Sequence, residues 1–150
     1  MRDVLNVTIA GIGGTIMMTA FMYLVSLFTG KKLKVVDILG TMLTGKTRVN
    51  GQLAYTPKTI VTGLIAHFGV GVLFALAYLG LWHLGVGSPS FGSSIVFGVV
   101  SGVIAVFVWR TFFFVHTRPP AIELNAYLIA IFMAHIVFAI EVAACFRLLA

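Results

Sequence analysis

A chain of 150 residues that is 60% hydrophobic and 9% charged, with a mean hydropathy of +1.10, lies far from the balance of a soluble globular protein and reads as an integral membrane protein. That length holds one compact bundle of spans over 1–150 and leaves no room for a soluble catalytic domain beside it. One cysteine, Cys145, excludes an internal disulfide and any cysteine-only metal site, and the net charge of +6 comes mainly from one connection.

The first apolar run starts within a few residues of Met1-Arg2-Asp3, carries Gly11, Gly13 and Gly14, and continues to Gly30. It shows no clear small-residue cleavage site, so a retained helix over 6–29 is expected rather than a signal peptide. The connection after it holds Lys31, Lys32, Lys34, Lys46, Arg48 and Lys58 against Asp37. Inside it, Leu33, Val35, Val36, Ile38, Leu39, Met42 and Leu43 form an amphipathic stretch too brief to span, interrupted by Gly40 and Gly45 and followed by an Asn50-Gly51 turn. A short interfacial helix is expected there, with Asp37 starting it or pairing with a neighbouring lysine.

Three further runs of spanning length follow, at 59–82, 92–115 and 126–148. The fold class is therefore an all-α membrane protein of four transmembrane helices. The second connection is a tight turn of Gly85, Gly87, Ser88, Pro89, Ser90 and Gly92 without Lys or Arg, and Pro119-Pro120 stiffen the third. By the positive-inside rule the 31–58 loop is expected to be cytoplasmic and both termini to face outward. Juxtamembrane lysines set topology and attract anionic lipid, so no nucleic-acid partner is expected.

Ile65-Ala66-His67-Phe68-Gly69-Val70-Gly71 and Met133-Ala134-His135-Ile136-Val137-Phe138-Ala139 look like copies of one segment, each with a histidine inside a long apolar run. The copying suggests a two-helix unit used twice, related by a pseudo-two-fold axis along the membrane normal. His67 and His135 fall about eight and nine residues into their spans, so at the helical rise both lie roughly 12–14 Å below the same interface. On the second span Gly63, His67, Gly71, Phe74 and Tyr78 share a face, which places the histidine on a small-residue stripe directed inward. Arg110 arrives near the same end on the third span, either snorkelling to the headgroups or aiming an anion-binding fork into the bundle mouth.

Glu141 is the remaining charge within the spans; it lies six residues after His135 and so about 120° off its face. A hydrogen bond to Thr15, to Thr19 or to a neighbouring subunit is the expected role, with a proton relay as the alternative. The glycines of spans one and three, including Gly98 and Gly102, are expected to be packing surfaces.

A facing histidine pair admits three readings. Each ring can be a structural hydrogen-bonding group across a helix interface. The two can ligate one haem b axially, with Gly63, Gly69 and Gly71 making room and Arg110 serving the propionates. They can also meet a quinone, a lipid or a proton. A zinc site would be short of ligands, since Glu141 is misplaced for it.

Gly13-Gly14-Thr15-x-x-Met18, Asp37-Ile38-Leu39-Gly40, Ala66-His67-x-x-x-Gly71 and Ala134-His135 together resemble an uncharacterised bacterial family of small four-helix inner-membrane proteins. The resemblance covers most of the chain through short apolar motifs. It implies the four-helix layout and emphasis on the two histidines, and nothing chemical. The sequence departs from the pattern at Ala139, where the first copy has Gly71.

No HExxH helix, GxSxG elbow, paired carboxylates on one face or phosphate-binding glycine loop is present. Phe112, Phe113 and Phe114 are consecutive and cannot all be buried in one small bundle, so at least one should face lipid or a partner chain. The expectation is a non-enzymatic subunit or accessory protein of a larger, bioenergetic membrane complex, with other membrane subunits or copies of itself as partners through Gly98 and Gly102 or Glu141. The alternative is an electron carrier with haem held by His67 and His135.

Overall fold

The computed structural model describes residues 1–149, and among them all regular structure is helical: α1 (Arg2–Thr29), α2 (Val35–Thr44), α3 (Pro57–His83), α4 (Phe91–Val115) and α5 (Leu124–Leu149), with a 3-10 turn at Val49–Gly51. α1, α3, α4 and α5 are each long and apolar enough to cross a membrane, the arrangement of a multi-pass membrane protein. Their ends follow local chemistry. Pro57 occupies the first turn of α3, where its missing N–H costs nothing, and Thr56 and Thr59 cap each other reciprocally. Ser90 caps α4 by accepting from Ser93 N. Asn50 and Gly51 both take left-handed backbone, as the Asn-Gly turn requires.

α1 packs against α3 and α5, and α5 packs against α4, while α3 and α4 face each other without close backbone packing. The four spans thus form a ring opened on one side. A two-fold axis along the membrane normal would match the α1–α5 seam with a closed α3–α4 seam, so the duplicated segments do not produce an exactly symmetric bundle. Gly98 and Gly102 of α4 are consumed inside the chain. A Cβ at Gly98 would lie 2.6 Å from Ile136 Cα, and one at Gly102 would lie 3.0 Å from Phe132 O, so α4 seats its backbone directly on α5. This corrects the expectation that Gly98 and Gly102 offer a surface to a partner chain.

α2 forms where the amphipathic stretch predicts a short helix, and Val35, Val36, Ile38, Thr41 and Met42 are buried, so its apolar face packs on the bundle. Gly40 does not interrupt it. A Cβ at Gly40 would run into Thr59 O, and one at Gly63 into Val36 O, so these two glycines let α2 and α3 touch backbone to backbone. Thr41 Oγ1 accepts from Ala54 N at 3.1 Å and Thr59 Oγ1 donates to Ala54 O at 2.9 Å, tying the following loop to the same seam. Asp37 sits in the first turn of α2, half-buried, and makes no ion pair among the described residues. Burial holds its carboxyl pKa above the ordinary value, with nearby Lys34 opposing the shift.

The loops at this end are joined to one another. Ala121 N donates to Gly51 O at 2.8 Å, Thr47 Oγ1 to Arg118 O at 2.6 Å and His116 Nε2 to Met42 O at 2.9 Å, and Lys31 pairs with Glu123 at 2.8 Å. At the other end Asn6 Nδ2 donates to Leu149 O at 2.9 Å. The outward faces are apolar too, with Ile65, Leu73, Phe107 and Ile129 exposed, as expected where the solvent is lipid.

Candidate functional site

The gap between α3 and α4 is a cavity of about 160 Å³. α1 supplies Thr15 and Met18 to its back wall, and α5 supplies Ile131, His135 and Phe138. Val35 and Leu39 of α2 close it towards the loop-rich end, beside Trp109 and Phe112 of α4. Its mouth is edged by Val70 of α3 and Ile104 and Val108 of α4, all three exposed on the outer surface. The cavity therefore opens sideways, into the space that lipid occupies.

Aromatic contacts shape the walls and the far rim. Trp109 is held edge-on to Tyr127 at 5.0 Å between ring centroids, and Phe74 lies edge-on to His135 at 5.7 Å. Further along, Tyr78 Oη lies 2.8 Å from Ser101 Oγ, and Ser101 gives its own proton to Phe97 O at 2.7 Å, so Tyr78 is the donor of the first bond. Trp82 stacks on Phe97. Long side chains thus bridge α3 and α4 at this end while the backbones stay apart.

The two histidines, His67 on α3 and His135 on α5, line this one cavity. Both are nearly buried, at 7% and 6% exposure, so each nitrogen has to be accounted for. His135 Nδ1 lies 2.8 Å from Ile131 O. A carbonyl only accepts, so Nδ1 carries the proton and Nε2 is left as a bare acceptor. His67 Nε2 lies 3.0 Å from Thr19 Oγ1, and Thr19 spends its single proton on Thr15 O at 2.6 Å. His67 Nε2 must then be the donor, which leaves its Nδ1 as the bare acceptor. Thr15 is fixed in turn by donating to Gly11 O at 2.7 Å, and it stands where a Cβ on Gly71 would have to go.

The two rings are therefore held in opposite tautomers, and each keeps one nitrogen free to accept. Neither free nitrogen is sealed in the interior: among the described residues, the enclosed polar atoms without a partner are Trp82 Nε1 and Tyr127 Oη. Among the described residues no acidic side chain lines the cavity, so nothing there would compensate an imidazolium and burial favours the neutral ring.

The other sequence-derived site residues fall elsewhere. Arg110 is exposed and is not in the lining, so it does not supply the cavity with the basic group expected for a cofactor's acid arms. Glu141 is half-buried, four residues from Cys145 on α5, and its expected partners are engaged: Thr15 and Thr19 bond to backbone and, for Thr19, to His67. Of the three consecutive phenylalanines, Phe112 lines the cavity, Phe113 packs on Tyr127, and Phe114 is 88% exposed. Among the described residues no three His, Cys, Asp or Glu side chains converge as a metal site.

Sequence reasoning missed Thr19 as the partner of His67, although Thr15-x-x-x-Thr19 continues the inward stripe of Gly11 and Gly14 by one helical turn. It also missed Trp109 as a wall, while Phe74 lies on the inward face where its spacing from His67 puts it. Comparison of the chain with protein-family models, with curated proteins and with solved structures finds no match.

Proposed function

We propose that this chain is a non-enzymatic multi-pass protein of a bacterial inner membrane that holds a small lipid-soluble molecule in the α3–α4 cleft and serves as an accessory component of a larger membrane complex. The observation that carries the reading is the cleft itself: an apolar cavity open to lipid on one side, with two buried histidines each offering one unpartnered nitrogen. Binding pockets are mostly apolar with a few placed polar groups, and ionisable side chains within spans are kept for function or firmly paired. The 31–58 loop is assigned to the cytoplasm and both termini to the outside, because that loop carries Lys31, Lys32, Lys34, Lys46, Arg48 and Lys58 while the turn around Ser88 carries no Lys or Arg. Phe114 and Glu141 supply an apolar and a polar contact for neighbouring subunits.

A bis-histidine haem would draw on the same two rings, and three features weigh against it. The enclosed volume of about 160 Å³ matches the roughly 150 Å³ that accommodates a benzene-sized ring, so most of a four-pyrrole macrocycle would lie outside the cleft. His67 spends its Nε2 on Thr19, and Arg110 stands outside. The purified chain is expected to show no reduced-minus-oxidised haem band.

The test of the cleft is native mass measurement of the protein released from lipid nanodiscs. Wild type is expected to retain one small adduct per chain, and Val70→Phe at the mouth and Ala105→Phe in the wall are expected to lose it. No adduct on the wild type, or the same adduct on all three, would overturn the reading.

A further inference from the structure

The chemistry of the two free nitrogens says which molecules the cleft prefers. We infer that the site selects a lipid whose head is a single ring carrying hydroxyl donors, a hydroquinone, over the corresponding quinone; this rests on the cleft reading above. Three observations converge on it.

First, the hydrogen-bonding sense is fixed by the protein before any ligand arrives. His135 Nδ1 is committed to Ile131 O, and the relay from His67 Nε2 through Thr19 to Thr15 O leaves no proton for His67 Nδ1. Both rings line the cavity, and the nitrogen that each leaves unpartnered is an acceptor. A hydroquinone brings two O–H donors to two acceptors, whereas a quinone brings two carbonyl oxygens, lone pair against lone pair, and leaves all four groups unpaired in an apolar site.

Second, the volume of about 160 Å³ suits one six-membered ring, and the walls are Phe74, Trp109, Phe112 and Phe138, whose faces and edges suit an aromatic head. Third, the mouth between Val70, Ile104 and Val108 gives onto the lipid-facing surface, so an alkyl or prenyl tail can remain in the membrane while the ring is inside.

The positioning role of Thr19 separates this inference from simple cavity filling. Thr19→Val removes the acceptor for His67 Nε2–H, and the ring is then free to carry its proton on Nδ1. One of the two acceptors becomes a donor, which a quinone oxygen can use. The substitution is nearly isosteric and lies outside the cavity lining.

The experiment measures uptake of tritiated decylhydroquinone and decylbenzoquinone by the full chain in nanodiscs, under anaerobic conditions, with Val70→Phe nanodiscs as the background for partition into lipid. The wild type is expected to bind the hydroquinone about tenfold tighter, the scale of two hydrogen bonds of ordinary net strength. His135→Phe and Thr19→Val should each reduce that ratio at least about threefold, the loss of one such bond, with quinone binding by Thr19→Val unchanged or improved. Saturable binding of both ligands with equal affinity, or tighter binding of the quinone, overturns the inference and leaves the cleft reading in place. A ratio unchanged in Thr19→Val also overturns it. No saturable uptake of either ligand above the background also overturns the inference, while the cleft reading stands or falls on the adduct measurement above.

Discussion

Replacing Gly98 by alanine tests the packing that builds the cleft. A Cβ at this position would sit 2.6 Å from Ile136 Cα and 3.0 Å from His135 O, both backbone atoms that no rotamer change can move aside. Carbon atoms in contact prefer about 3.5–4.0 Å, so α4 would have to retreat from α5 by roughly 1 Å. Overpacking of this kind costs about 1–3 kcal/mol. The retreat would also disturb the neighbouring contact between Gly102 and Phe132 and shift the wall that carries Ala105 and Trp109. Gly69→Ala is the matched control, since a Cβ there meets nothing within 4 Å. Its gain in helix propensity should largely cancel when unfolding is measured by sodium dodecyl sulfate titration, because the detergent-unfolded chain stays helical, leaving a change within about 0.5 kcal/mol of zero. Gly98→Ala is expected to unfold at a lower detergent fraction, by about 1–3 kcal/mol relative to the control. Indistinguishable midpoints for the two variants would refute the direct seating of α4 on α5.

Removing the Tyr78 hydroxyl with Tyr78→Phe deletes its 2.8 Å bond to Ser101, and should cost about 0.6 kcal/mol in the same titration, the mean for hydrogen bonds between membrane helices. For Asp37, burial raises the folded-state pKa above the unfolded one, so its contribution is most favourable when protonated and is lost as pH rises from the ordinary carboxylate range through the raised value. Asp37→Asn should flatten that part of the pH–stability curve and be the more stable protein at neutral pH. In a Cys145→Ala background, an impermeant maleimide added to intact cells should label a cysteine introduced at Ser88 and spare one at Thr47; the opposite pattern would reverse the assigned orientation.

The spans were legible because about 20 consecutive apolar residues leave few alternatives, and the helices extend only a few residues beyond 6–29, 59–82, 92–115 and 126–148. The Asn50-Gly51 turn was legible for the same reason of local chemistry. Gly40 was misread because a glycine in a short helical pattern weakens it locally, while its actual role depends on Thr59 and Gly63, which lie far along the chain. His67 and His135 stood out through their repeated context, yet their tautomers depend on Ile131 and on Thr19, a partner 48 residues away on another helix. The cleft was not legible at all. It exists because α3 and α4 are the neighbouring pair that does not close, and no residue pattern within either helix announces which seam of a ring stays open. Arg110 and Glu141 drew notice as charges in apolar runs, but the direction each faces is set by how its helix is rotated in the bundle.

Nitrogen-15 spectroscopy of histidine-labelled protein in lipid bilayers tests the central claim most directly, because it reads the protonation of each ring nitrogen. His67 and His135 should both be neutral and in opposite forms, His67 protonated at Nε2 and His135 at Nδ1, and the unprotonated nitrogen of each should shift when decylhydroquinone is added. Two rings in the same tautomer, or charged rings, or free-nitrogen signals that ignore the ligand, would contradict a cleft built around two fixed acceptors.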